Sequence, residues 1–211
     1  MNSIIEYDSL LDEKDIEDYS IAKSHIIPKL INISNNADWL GDAAHTVYLD
    51  MAVVFIYVIR AEGDEIVSFN INNEALVKWG VSLDTLLHDS IETAMRLFPL
   101  SIESIEDVLG LSENDYYQTF FVMSNSRRHF GAATMLYDNA LDDFADQIHD
   151  SFCIIPSSIH EVLLVPDRLG ISSDELSGML TDVNISIVRD DEVLSDRIYH
   201  FDPDTGSVSI I

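Results

Sequence analysis

Apolar and polar positions along the 211-residue chain follow two periods, and the periods change from one segment to the next. "VYLDMAVVFIYVI", Val47 to Ile59, is almost continuously apolar and rich in β-branched and aromatic residues, which predicts a strand at the centre of a sheet. "AEGDE" offers a turn and "IVSFNI" reads as the returning strand of a hairpin. "NNEALVKWG" carries an Asn cap and a closing glycine, so it predicts a short helix. Ser82 opens a second helix whose Leu83, Leu86, Leu87, Ile91 and Ala94 share one face, and Pro99 closes it. "SIESIEDVLG" predicts a further short helix ending at Gly110, followed by the polar connection "LSENDYY".

"TFFVMSN" and "GAATMLY" predict two strands of an antiparallel hairpin with "SRRHF" at its tip. "DNALDDFADQIHD" has Leu141, Phe144, Ala145 and Ile148 on one stripe and Asp142, Asp143 and Asp146 toward water, the pattern of a surface helix. "FCII" and "IHEVLLV" predict strands separated by "PSS". Ser172 with Glu175 forms a capping box ahead of Leu176, Met179, Leu180, Val183 and Ile187. "RIYHFD" and "SVSII" predict a terminal hairpin across "PDTG". Helices and strands alternate irregularly and short turns join strand pairs. The expected fold is therefore α+β, a mainly antiparallel sheet with helices packed on it in a single domain over residues 21–211.

Charge changes the picture at the N-terminus. The first twenty residues hold Glu6, Asp8, Asp12, Glu13, Asp15, Glu17 and Asp18 against one base, Lys14, so residues 1–20 are expected to be an acidic arm, mobile or docked as a short helix. The whole chain has 11 Lys+Arg and 38 Asp+Glu, a net charge of −27, yet 47% of its residues are hydrophobic. That apolar content excludes a disordered acidic tail. The charge repels phosphate backbones, which argues against direct nucleic-acid binding and toward a protein partner with a basic surface. The longest apolar run, Met51 to Ile59, is about half the length of a membrane-spanning helix. The N-terminus lacks the basic region and apolar core of a signal peptide, and the single cysteine, Cys153, sits among isoleucines without an internal partner. A cytoplasmic location is expected, with no membrane association.

Candidate chemistry concentrates in "CIIPSSIHEVLLVP", which sets Ser157, Ser158, His160 and Glu161 in an apolar run. As a strand from Ile159, it places His160 and Glu161 on opposite faces, so Glu161 is a poor orienter for a serine–histidine relay. Without a glycine-flanked serine turn or a second zinc-ligating histidine, the expectation is that the hydroxyls satisfy backbone groups. Cys153 is expected to be buried and inert. "FDPDTGSV" imitates the opening of a calcium loop, but its glycine comes one place early, and a hairpin turn is expected. Arg127, Arg128 and His129 form the densest cationic cluster, a candidate anion contact whose simplest partner is the chain's own acidic arm. No nucleotide-binding loop appears, and no metal or cofactor is expected.

The segments "IIPKLINISNNADWL", "YLDMAVVFIYVI", "NNEALVKWGVSLDTLLHDSIETAMRLFP", "FVMSNSRRHFGAATMLYDNALDDFADQI", "IIPSSIHEVLLVPD" and "VNISIVRDDEVLSDRIYHFD" resemble an uncharacterised bacterial family, domain-of-unknown-function family 5688. The resemblance covers most of the chain after Ile21 and implies no reaction. The expected function is thus an acidic protein-interaction or regulatory module, in a sharper form a nucleic-acid mimic that inhibits a nucleic-acid-binding protein. The alternative is a hydrolase-like enzyme using Ser157, Ser158, His160 and Glu161.

Overall fold

The computed structural model describes residues 16–62, 65–110 and 120–211. Two antiparallel sheets carry the helices, so the α+β expectation holds. In the first sheet, β3 (Met51–Glu62) is central, flanked on one side by β1 (Ile26–Asn32) and on the other by β2 (His45–Tyr48) and β4 (Glu65–Asn70). Eight consecutive residues of β3, Met51 to Val58, are buried, which explains its lack of alternation. The expected single strand from Val47 is in fact the end of β2, a two-residue turn and the start of β3. Leu49 takes φ +56 there, a conformation its side chain does not advertise.

The second sheet runs in the order β10 (Ser207–Ile210), β9 (Tyr199–Asp202), β7 (Phe152–Ser158), β8 (Glu161–Pro166), β6 (Phe121–Asn125) and β5 (Leu100–Ser104). Residues 101–104, expected to be helical, belong to the strand β5, and the helix begins only at Ile105 after the Ser104 cap. "GAATMLY" is not a strand either. Residues Gly131–Leu136 form a 3-10 helix, because both sides of β6 are already taken by β5 and β8. Gly131 is required there: a Cβ would lie 2.0 Å from Ser124 Oγ and 2.4 Å from the His160 carbonyl oxygen. "PSS" continues β7 rather than ending it, and the turn falls on Ile159 and His160.

The α-helices among the described residues include α1 (Tyr19–Ala22), α2 (Ala37–Leu40), α3 (Asn73–Trp79), α4 (Leu83–Leu97), α5 (Ile105–Leu109), α6 (Ala140–Ile148) and α7 (Ser173–Ser186). Their caps follow the sequence: Asn72 and Ser82 accept amide bonds from Ala75 and Thr85, and Ser172 with Glu175 completes the capping box. One apolar cluster joins both sheets, running from Ile26, Leu30 and Phe55 to Phe144, Phe152 and Tyr199. A smaller cluster packs α7, through Leu176 and Leu180, onto Cys153 and Ile155 on the far face of the second sheet.

Of the expected acidic arm, residues 1–15 lie outside the described residues. From Ile16 the chain is docked: the Trp79 indole N–H donates to the Ile16 carbonyl, Lys78 Nζ meets Glu17 at 2.6 Å, and Tyr19 donates to Asp89 at 3.0 Å.

Candidate functional site

The two segments singled out in the sequence meet in space. At the β7–β8 turn, Ser158 Oγ accepts the His160 amide at 3.0 Å, and Ser157 Oγ donates to the Glu161 carbonyl at 3.0 Å. These bonds stabilise a turn on a bulged hairpin whose register shifts between Ile155 and Ser158. Beside it, Asn125 shapes the loop after β6, accepting amide bonds from Arg127 and His129 and donating to the His129 carbonyl. Arg128 and Phe130 both take left-handed backbone conformations, at φ +53 and +55.

The loop delivers Phe130 onto His160, with ring centroids 5.8 Å apart and planes nearly parallel. The Phe130 amide donates to His160 Nδ1 at 3.3 Å, which makes Nδ1 the acceptor and assigns the ring proton to Nε2. Nε2 stands 3.5 Å from Glu192 Oε1. Burial holds the His160 pKa below its ordinary value even though Glu192 pulls upward. Lys29 Nζ lies over the Phe130 ring, 4.5 Å from its centroid, and burial lowers its pKa against the opposing pull of Asp191 and Glu192. His129 meets His160 edge to face at 5.5 Å.

This junction gathers β1, the β6 loop, the β7–β8 turn and the 189–195 segment, which is further pinned by the Ile159 amide on the Glu192 carbonyl and by Asn32 on the Leu194 carbonyl. Both serine hydroxyls have backbone partners, and the imidazole nitrogens face Phe130 and Glu192 instead. The Glu161 carboxyl is raised in pKa by burial while Arg128 draws it down. Among the described residues Arg128 pairs with Glu103 on β5 at 2.7 Å, and residues 1–15 of the acidic arm lie outside them. Arg127 stacks over Phe98 at 6.0 Å.

Lys29 and Glu192 escaped the sequence reading. Lys29 left one signal, a lone lysine among the apolar residues of "IIPKLIN". Cys153 faces Asp167 Oδ1 at 3.8 Å, and burial together with that carboxylate pushes the thiol up to about 11. His200 Nε2 sits on the same carboxylate at 2.8 Å.

A second region is defined by charge. On α6, Leu141, Phe144 and Ala145 are buried while Asp142, Asp143 and Asp146 are exposed. Asp142 and Asp143 occupy the first turn, where the helix dipole favours them. The β9–β10 turn adds Asp202 and Asp204, with Asp202 accepting the Asp204 amide at 3.0 Å, a hairpin turn as expected. Asp142 Oδ1 stands 3.5 Å from where a side chain at Gly206 would begin, so helix and turn are neighbours. None of these five aspartates forms an ion pair among the described residues.

Between helix and turn lies a hollow of about 240 Å³, lined by Tyr48, Met135, Phe201, Val208, Asp142 and Gly206 among others. A wider, shallower depression of about 590 Å³ is lined by Asn35, Asn36, Asp190, Asp191 and Val193. Neither is lined by Ser157, Ser158, His160 or Glu161. No helix among the described residues is long and apolar enough to cross a membrane.

Compared with known proteins, residues 4–203 match the model of a family described as "Family of unknown function (DUF5688)". The chain belongs to that family. The match takes in the DUF5688 chain's histidine junction and four of the five aspartates, while Asp204 and β10 lie past its end. No curated protein and no solved structure matches.

Proposed function

We propose that this protein is a binding module that docks on a basic surface of another protein through the acidic face of α6 and the β9–β10 turn. The observation that carries the proposal is the set of five aspartates, Asp142, Asp143, Asp146, Asp202 and Asp204, gathered on two adjacent elements with no ion-pair partner among the described residues. Some acids elsewhere are matched, as Glu17 is by Lys78, Glu103 by Arg128 and Asp150 by Arg168. A net charge of −27 adds a long-range field that steers basic partners in and keeps nucleic acid out. A nucleic-acid-binding protein is one partner with such a surface, and mimicry of its ligand would show as displacement of this chain by duplex DNA.

The histidine junction serves in this reading as the tie between the sheets that holds the acidic face in place. Capture from the source cell's lysate tests the proposal, using the full chain and the variant D142N/D143N/D146N side by side. A basic protein should be retained at roughly 0.05 M salt, released by about 0.5 M, and held about tenfold more weakly by the variant. Equal retention by both chains, or retention that ignores salt, contradicts it.

A further inference from the structure

Among the described residues β10 is an outermost strand of the second sheet, paired only with β9 in the register Ser207 to Asp202 through Ile210 to Tyr199. The Ile211 amide donates to the Ile198 carbonyl at 3.0 Å, so antiparallel alternation turns the backbone groups of Val208 and Ile210 away from β9, where no described strand meets them. Soluble proteins blunt such edges with lysine, proline, a bulge or a covering element. The opposite edge, β5, follows that rule: it carries Glu103, paired with Arg128, and runs directly into α5. β10 carries Ser, Val, Ser and Ile, without charge, proline or register shift.

Two further features adjoin this edge. Its N-terminal end opens on the turn bearing Asp202 and Asp204, with Asp142 beside Gly206. Val208 also lines the hollow of about 240 Å³, whose walls include Tyr48, Phe201 and Asp142. The Tyr48 ring gives that hollow an apolar wall, and its hydroxyl is raised in pKa by burial.

From these features we infer that β10 receives an added strand from a basic, extended segment of the partner. One Lys or Arg side chain of that strand lies in the hollow, its stem against Tyr48, Val208 and Phe201 and its head group on Asp142. This inference rests on the acidic docking reading and specifies its mode. Main-chain bonds to Val208 and Ile210 supply affinity, and the period-two alternation of the added strand sends every second side chain to the Val208 face. The apolar stem and charged head of Lys or Arg suit a hollow with apolar walls and a carboxylate lining it. A second copy of the chain would bring the same net charge of −27 to the edge, so charge complementarity selects a basic segment over self-pairing.

The test is fluorescence anisotropy of a labelled eight-residue peptide of alternating Lys and Val, titrated with the full chain at roughly 0.05 M salt. Three comparisons decide it. Ile210→Pro removes an outward donor while leaving the bonds to β9 intact, and should weaken binding about tenfold or more. Two peptides N-methylated on alternate residues, one series each, should split: one binds like the parent, the other is weakened as much. That pair reads the edge on the unmodified protein even if Ile210→Pro does not fold. If Ile210→Pro and both methylated peptides bind like the parent, strand addition is wrong and acidic docking stands. If D142N/D143N/D146N binds the parent peptide as the native chain does, the docking reading itself fails.

Discussion

At the scale of single residues, the fold depends on a few contacts with no slack. Gly131 is the tightest, since a methyl group there would overlap Ser124 Oγ, the His160 carbonyl and, at 2.9 Å, the Asn125 amide nitrogen. Two of these neighbours are backbone, so relief requires moving β6 or the β7–β8 turn. Gly131→Ala should therefore cost about 3 kcal/mol of stability by chemical denaturation, and a cost under about 0.5 kcal/mol would show that the close approach is absent. Glu161 offers a test with a sign. Its carboxyl is raised by burial, so the folded state holds the proton to higher pH than the unfolded chain does. That contribution is present below the unfolded value and lost as pH rises through the folded one, leaving an unfavourable ionised group at pH 7. Glu161→Gln should raise the melting temperature at pH 7 and leave it unchanged near pH 4; a drop at pH 7 would mean that the pull of Arg128 outweighs burial.

At the scale of elements, Asp50 links the β2–β3 turn to β9, accepting from Tyr199 at 2.6 Å and Ser195 at 2.7 Å. Tyr199 and Ser195 are fully buried, so Asp50→Ala strands two hydroxyls and should cost about 2–4 kcal/mol, with Asp50→Asn costing less because an acceptor remains. A calorimetric scan of both variants checks the order, and equal losses would mean that the aspartate acts through charge alone. The same contact explains an element that the sequence concealed. Leu49 and Asp50 sit in an apolar run without Gly or Asn, so nothing local marks the turn; Asp50 is held there by a strand 149 residues away. The 3-10 helix at Gly131 was concealed differently: residues Gly131–Met135 are all buried, and burial on every side erases the periodicity that separates helix from strand. By contrast α4, α6 and the Ser172–Glu175 capping box were legible, because a helix with one wet face writes its period and its cap into local sequence. Likewise, the expectation that the Ser157 and Ser158 hydroxyls bond to backbone groups agrees with their partners, the Glu161 carbonyl and the His160 amide. The junction around His160 was not, since Lys29, Phe130 and Glu192 reach it from three distant parts of the chain.

At the scale of the whole molecule, two sheets share one apolar cluster, and much of the surface charge is negative and unmatched. The fold converts that excess into a local feature by setting α6 beside the β9–β10 turn, next to an uncharged strand edge and a hollow. The account stands on that placement, because acids spread evenly over the surface would give solubility without a preferred face. The most direct measurement is hydrogen–deuterium exchange of the full chain with and without the alternating Lys and Val peptide. The account predicts protection concentrated in residues 139–146 and 202–210. Protection centred on the Lys29–His160 junction, or spread evenly over every acidic segment, would contradict it.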